Sequence, residues 1–172
     1  MAKRSLGLAL GSNLGNRIAN LRSAVGGILS FCENPSLLTS SVYETVPVDC
    51  PEDSEAFYNA VIQVRTDMDP HELFEKCQAI ENQLGRPEER EHNAPRTIDI
   101  DLLYYGDWVI TEGPLILPHP RLEERRFVLQ PLCEIRPGLI LPGRKKSNEE
   151  ILESLESDEP EPNPVFPQDT WL

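Results

Sequence analysis

Leu6, Leu8 and Leu10 open the chain as a short buried strand. Gly11-Ser12-Asn13 then turns it into a segment in which Ile18, Leu21, Val25, Ile28 and Leu29 follow a 3.6-residue period, predicting a helix that ends before Pro35. Residues 37–46 and 56–66 read as two strands joined by the acidic, turn-rich stretch Val48 to Ser54. Asp69-Pro70-His71-Glu72 predicts a second helix start: Asp69 caps, Pro70 suits the first helical position, and Glu72 supplies the return half of a capping box. Leu73, Cys77, Ile80 and Leu84 form the buried stripe of that helix, and Gly85 is placed to end it. Residues 86–96 are polar and contain two prolines, hence a loop, whereas residues 97–105 form a strand that is almost continuously apolar apart from two aspartates.

The order strand, helix, strand, strand, helix, strand is the split βαβ arrangement of the ferredoxin-like fold, an α/β (α+β) class. It predicts a mainly antiparallel sheet with helices on one face. A C-terminal insertion follows over residues 107–146, then a last short helix from Ser147, with Glu150 three residues on to complete a capping box. At 172 residues the chain can bury one good core. We expect a single domain over residues 1–155 and an acidic, proline-rich tail over 156–172. The tail has too little apolar content to fold and is expected to be extended and mobile, so that truncation after Leu155 leaves turnover unchanged.

Charge and cysteine content narrow the function. With 16 Lys+Arg against 29 Asp+Glu the net charge is −13, which disfavours nucleic-acid and membrane-surface partners. Eight of the acids fall within Ser147–Leu172, which has no Lys or Arg, leaving −5 for the first 146 residues. The apolar run after Lys3 and Arg4 is too short for a signal peptide, and no run reaches the ~20 residues of a spanning helix. Cys32, Cys50, Cys77 and Cys133 form no CxxC pair, as expected of reduced thiols in a cytoplasmic protein.

The chemistry concentrates around Asp99 and Asp101. Residues two apart on a strand share a face, so their carboxylates lie about 7 Å apart, with Ile98, Ile100 and Leu102 pointing the other way. Two acids on a buried strand need neutralising. Magnesium does this while keeping water and taking substrate phosphates; Arg96 or backbone amides are the alternative. Arg86 and Arg96 bracket the preceding loop and are suited to close fixed positive charge over a polyphosphate, while Arg90 reads as a solvated charge. His119, Arg121, Arg125 and Arg126 form a second cationic cluster, suggesting an anion site, with surface pairs to Glu123 and Glu124 as the alternative, favoured for Arg126. Phe57 and Asn59 share a strand face, an aromatic plane beside an amide, which suits a flat heterocycle or simple core packing. No P-loop, dinucleotide fingerprint or GxSxG elbow is present.

Across roughly residues 5–155 the chain resembles the 6-hydroxymethyl-7,8-dihydropterin pyrophosphokinases. The resemblance rests on ordered segments: Gly11 to Asn16, Tyr43-Glu44-Thr45 with Pro47, Phe57 to Ala60, Ile80-Glu81 with Gly85-Arg86, Ala94 to Leu103, and Pro118-His119-Pro120-Arg121 with Arg125 and Phe127. It implies a ferredoxin-like fold and transfer of diphosphate from MgATP to the pterin hydroxymethyl group, with release of AMP, in folate biosynthesis. By the same resemblance Asp99 and Asp101 hold two magnesium ions, and Arg86 and Arg96 cover the phosphates. Gln78, Leu102, His119, Arg121 and Arg125 join Arg96 around ATP. Phe57 and Phe127 sandwich the pterin, and Thr45, Pro47, Val48 and Asn59 read its edge. The chain departs from the family at Asn93, where Trp is frequent, at Glu88, where a second arginine is frequent, and at Phe57, where Tyr is common. A D-x-D nucleotide-sugar transferase and a non-catalytic nucleotide-binding module are the competing readings. The partners expected are ATP and the pterin, for a monomer.

Overall fold

The computed structural model describes residues 2–32, 37–47, 52–85 and 97–172. Its elements run β1 (Arg4–Ser12), α1 (Arg17–Leu29), β2 (Leu38–Thr39), β3 (Val42–Thr45), β4 (Phe57–Thr66), α2 (Pro70–Gln83), β5 (Asp99–Tyr105), α3 (Arg126–Ile135), α4 (Asn148–Ser154) and β6 (Asn163–Phe166). The sheet is antiparallel in the order β5-β1-β4-β3-β6, with β2 also paired to β4. Its first four strands are the split βαβ order. The helices α1 and α2 pack with Leu6, Leu8, Leu10, Ile62 and Ile100 on one face, as the order predicts. Helix α3 of the insertion and α4 after it cover the opposite face around Val61, Leu103 and Leu129, which strand order alone does not dictate.

Local side-chain and glycine signals set the helix ends. Asn16 caps α1 through a hydrogen bond from the Ala19 amide, after Gly15 takes φ +69°. The Asp69 carboxylate accepts from the His71 and Glu72 amides, and Gly85 ends α2 at φ +99°. Ser147 and Glu150 complete the capping box of α4.

Two expectations change. The strand predicted over 37–46 breaks at Ser40-Ser41: Thr39 pairs with Ile62 but Tyr43 with Asn59, a one-residue bulge in which the Ser40 hydroxyl accepts the Val61 amide at 2.9 Å. The tail is extended, and it docks on the sheet instead of standing free of it. Its strand β6 pairs with β3, and Trp171, fully buried, donates its indole N–H to the Ser40 carbonyl at 2.8 Å. Arg22 of α1 binds the Trp171 carbonyl, and Asp169 accepts from the Thr39 hydroxyl. Composition misjudged this segment because one tryptophan at such a site is worth about 3–5 kcal/mol against alanine, enough to anchor a short polar strand. Cys32, Cys77 and Cys133 are free thiols. No helix among the described residues is long and apolar enough to cross a membrane.

Candidate active site

Cross-strand register builds the site. Gly11 of β1 lies between Asp99 of β5 and Asn59 of β4, and Asn59 in turn opposes Tyr43 of β3. One row of the sheet therefore carries a carboxylate, a bare backbone and an amide on the same face, and in the next row Asp101 opposes Ala9. Gly11 forms the floor because it has no side chain: a Cβ there would stand 3.0 Å from Asn59 Oδ1 and 3.9 Å from Phe57 Cδ1. The sequence places Gly11 in a turn; the structure extends β1 through Ser12 and puts the glycine under the cleft. An isolated glycine beside a strand pattern, the signature of a close approach to backbone, is the signal that marks it.

The cleft has a volume of about 130 Å³, and its walls include Thr45, Phe57, Asn59, Asp99, Asp101, Arg125 and Phe127. Asn59 is 7% exposed and donates from Nδ2 to Thr45 Oγ1 at 2.6 Å, which turns its Oδ1 toward the floor at Gly11. Phe57 and Phe127 come from β4 and the start of α3, so the two rings reach one cleft from separate elements. A neighbouring hollow of about 180 Å³ lies on the far side of Asp101, walled by Phe74, Leu102, Leu115, His119 and Pro120. Asp101 borders both spaces, with Arg125 Nη1 3.9 Å from its Oδ2 and the guanidinium 5.7 Å from the Phe127 ring.

Other expected site residues lie elsewhere. Gln78 is exposed on α2, and half-buried Pro47 follows β3, lining neither space. Arg121 pairs with Glu124 at 3.5 Å, its side chain mostly exposed, and its amide donates to His119 Nδ1. Arg126 turns to the tail, hydrogen-bonding the Leu155 carbonyl at 3.3 Å and pairing with Glu161 at 3.9 Å, while Glu123 pairs with Arg144. Arg86, Arg96 and Val48, with Glu88 and Asn93, lie outside the described residues.

Asp99 and Asp101 are half-buried on the cleft side of β5. Among the described residues no group of three His, Cys, Asp or Glu forms a larger metal cluster. Two hard carboxylates open to a cleft fit magnesium, which keeps water and takes phosphate oxygens, and suit poorly an ion that prefers sulfur or imidazole.

His119 is fixed by its amide, which donates to the Leu103 carbonyl at 2.8 Å, and its Nδ1 accepts from the Arg121 amide at 3.1 Å. The ring therefore carries its proton on Nε2 when neutral. Burial chiefly, with Arg125 and Arg121 nearby, holds its pKa below the ordinary 6.5, although Asp99 pulls the other way. A histidine lowered on folding stabilises the fold fully above the unfolded value, and that contribution falls as pH drops from 6.5 through the folded value. We expect an NMR titration of His119 with its midpoint below 6.5; a midpoint at or above it would contradict this environment.

Comparison with known proteins covers the same residues. Residues 7–137 match the family model for 7,8-dihydro-6-hydroxymethylpterin-pyrophosphokinase (HPPK). The chain is 44% identical over 128 residues to the 2-amino-4-hydroxy-6-hydroxymethyldihydropteridine pyrophosphokinase of Bacillus subtilis, covering 74% of this chain and 75% of that protein. It is 37% identical over 136 residues to the enzyme of that name from Haemophilus influenzae, covering 79% and 84%. Against the folic acid synthesis protein fol1 of Pneumocystis carinii it is 43% identical over 135 residues, but spans only 18% of that longer protein. A crystal structure of HPPK-DHPS in complex with substrates superposes on 89% of this chain and 44% of its own, with a TM-score of 0.74 at 14% identity, a likeness of fold. With both aspartates, the floor glycine and the two aromatic residues of the cleft inside the matched segment, the chain belongs to the 7,8-dihydro-6-hydroxymethylpterin-pyrophosphokinase family.

Proposed function

We propose that this chain transfers the terminal diphosphate of MgATP to the hydroxymethyl oxygen of 6-hydroxymethyl-7,8-dihydropterin, releasing AMP, in folate biosynthesis. It acts as a cytoplasmic monomer with two magnesium ions. The observation that carries the reading is the meeting, in one cleft, of an aromatic pair, a fixed amide and two carboxylates.

Each side chain then has a physical task. Phe57 and Phe127 stack on the two faces of the flat ring. Asn59, whose Nδ2 is engaged by Thr45, presents Oδ1 over Gly11 to accept from the N–H edge of the pterin. A side chain at position 11 would occupy the space over which that edge lies. Leu102 and His119 line the neighbouring hollow, where the nucleotide lies, and neutral His119 donates from Nε2. Arg125 stands beside Asp101 at the junction of the two spaces, in reach of phosphate charge. By the resemblance, Arg86 and Arg96 are assigned to the triphosphate. Magnesium held by Asp99 and Asp101 supplies charge neutralisation for the polyphosphate. The residues hold the hydroxymethyl oxygen in line with the β-phosphorus, and positioning of this kind is the greater part of phosphoryl-transfer catalysis.

This family assignment leaves the nucleotide-sugar transferase without support. Incubation with MgATP and 6-hydroxymethyl-7,8-dihydropterin is expected to yield AMP in step with the pterin diphosphate. Formation of ADP, or tight ATP binding without turnover, would refute the proposal and favour a non-catalytic nucleotide module.

A further inference from the structure

The tail lies beyond the residues that match the family, yet it touches the strand that carries Thr45. Strand β3 is four residues long, and three of them lie in register with β6: Val42 with Phe166, Tyr43 with Pro164 and Glu44 with Asn163. Thr45, the partner of Asn59, is the next residue. Without β6 the short strand would be a sheet edge, paired on one side only, and such edges open locally at little cost.

The contacts extend on both sides of the pairing. At the start of β3, Trp171 binds the Ser40 carbonyl, and the Gln168 amide donates to the Ser41 hydroxyl at 3.1 Å. That hydroxyl and the Tyr43 phenol both donate to Glu134 of α3, at 2.7 and 2.8 Å. Across the pairing, the Phe166 ring meets Tyr58 of β4 edge-on with centroids 5.8 Å apart. Tyr58 sits between Phe57 and Asn59 and points away from the cleft. Arg17 lies 3.9 Å over its ring and donates to the Ala56 carbonyl at 2.6 Å and to Glu44 at 3.2 Å. A chain of packed groups thus runs from the tail to the residues on either side of Phe57, one of which, Tyr58, also precedes Asn59.

We propose that the C-terminal strand, anchored by Phe166 and Trp171, is a positioning element that holds the Thr45–Asn59–Phe57 edge of the cleft in its pterin-reading geometry. The inference rests on the assignment of that edge to the pterin. It reverses the expectation that the tail is dispensable.

The test uses the full chain with Phe166→Ala, whose ring is only half-buried, and Trp171→Ala. Each is expected to raise KM for the pterin roughly fivefold to tenfold, with kcat and KM for ATP within about twofold. Phe166→Tyr is expected to restore the pterin KM. A merely structural tail would lower the active fraction, so that kcat fell while both KM values held, and that pattern would overturn the proposal. So would an unchanged pterin KM in both variants; if Trp171→Ala does not fold, Phe166→Ala decides. Asn59→Ala is measured alongside. If it raises the pterin KM while the tail variants do not, the tail inference fails and the site assignment stands; if it leaves the pterin KM unchanged, the assignment fails and takes the inference with it.

Discussion

Replacing Asp101 by alanine is expected to lower kcat on the order of 10³-fold or more, about 4 kcal/mol of barrier, while leaving the fold intact. Asp101 borders both the aromatic cleft and the hollow beyond it, so in the proposed reaction its carboxylate stands where the donor and acceptor substrates meet. Asp99→Ala is expected to cost a similar factor in kcat, with less effect on KM for ATP, because Asp99 borders the first space alone. Stability should change little, since β5 is held by its backbone ladder to β1 and by Ile100 and Leu102 beneath it, not by half-exposed acids. Removing one of two like charges on neighbouring positions also relieves repulsion. The Arg125 partner at 3.9 Å is partly solvated, so its loss of Asp101 is screened. Rates measured against magnesium concentration, with thermal unfolding alongside, check both halves. Near-normal turnover by either variant at limiting magnesium would remove the two aspartates from the metal site.

What could be read along the chain was what local rules govern. The caps at Asp69 and Ser147 depend on side chains two or three residues from the amides they satisfy, and both appear where the sequence puts them. The i, i+2 spacing of Asp99 and Asp101, and of Phe57 and Asn59, follows from strand geometry, and both pairs face one cleft. Features made by distant partners were not readable. The break at Ser40-Ser41 exists because two buried serines find partners in β4, α3 and the tail. The docking of the tail depends on a groove that only the folded sheet provides, and its sole trace in the sequence is Val165, Phe166 and Trp171 amid polar residues and prolines. Gly11 reads as a turn residue until the register sets it opposite both Asp99 and Asn59.

The same division applies to Glu81, which the sequence marks only as part of the Ile80-Glu81 segment shared with the family, with no task attached. In the structure it is 2% exposed, and its Oε1 accepts the Ile100 amide at 2.8 Å. Strand β5 ends the sheet, so the Ile100 N–H, midway between the two aspartates, points away from β1 and toward the helix. Glu81→Leu is therefore expected to strand that buried amide at a cost of about 1–3 kcal/mol, lowering Tm by about 2–4 °C for each kcal/mol. With the outer edge of β5 released, the separation of the aspartates is less fixed, and kcat at 25 °C, well below unfolding, is expected to fall roughly 10- to 100-fold. Glu81→Gln keeps an oxygen acceptor in place and should recover most of both losses. Kinetics and thermal melts of the two variants provide the check: if Glu81→Leu matched the parent in rate, the helix would have no part in aligning the strand that carries Asp99 and Asp101, whatever its effect on stability.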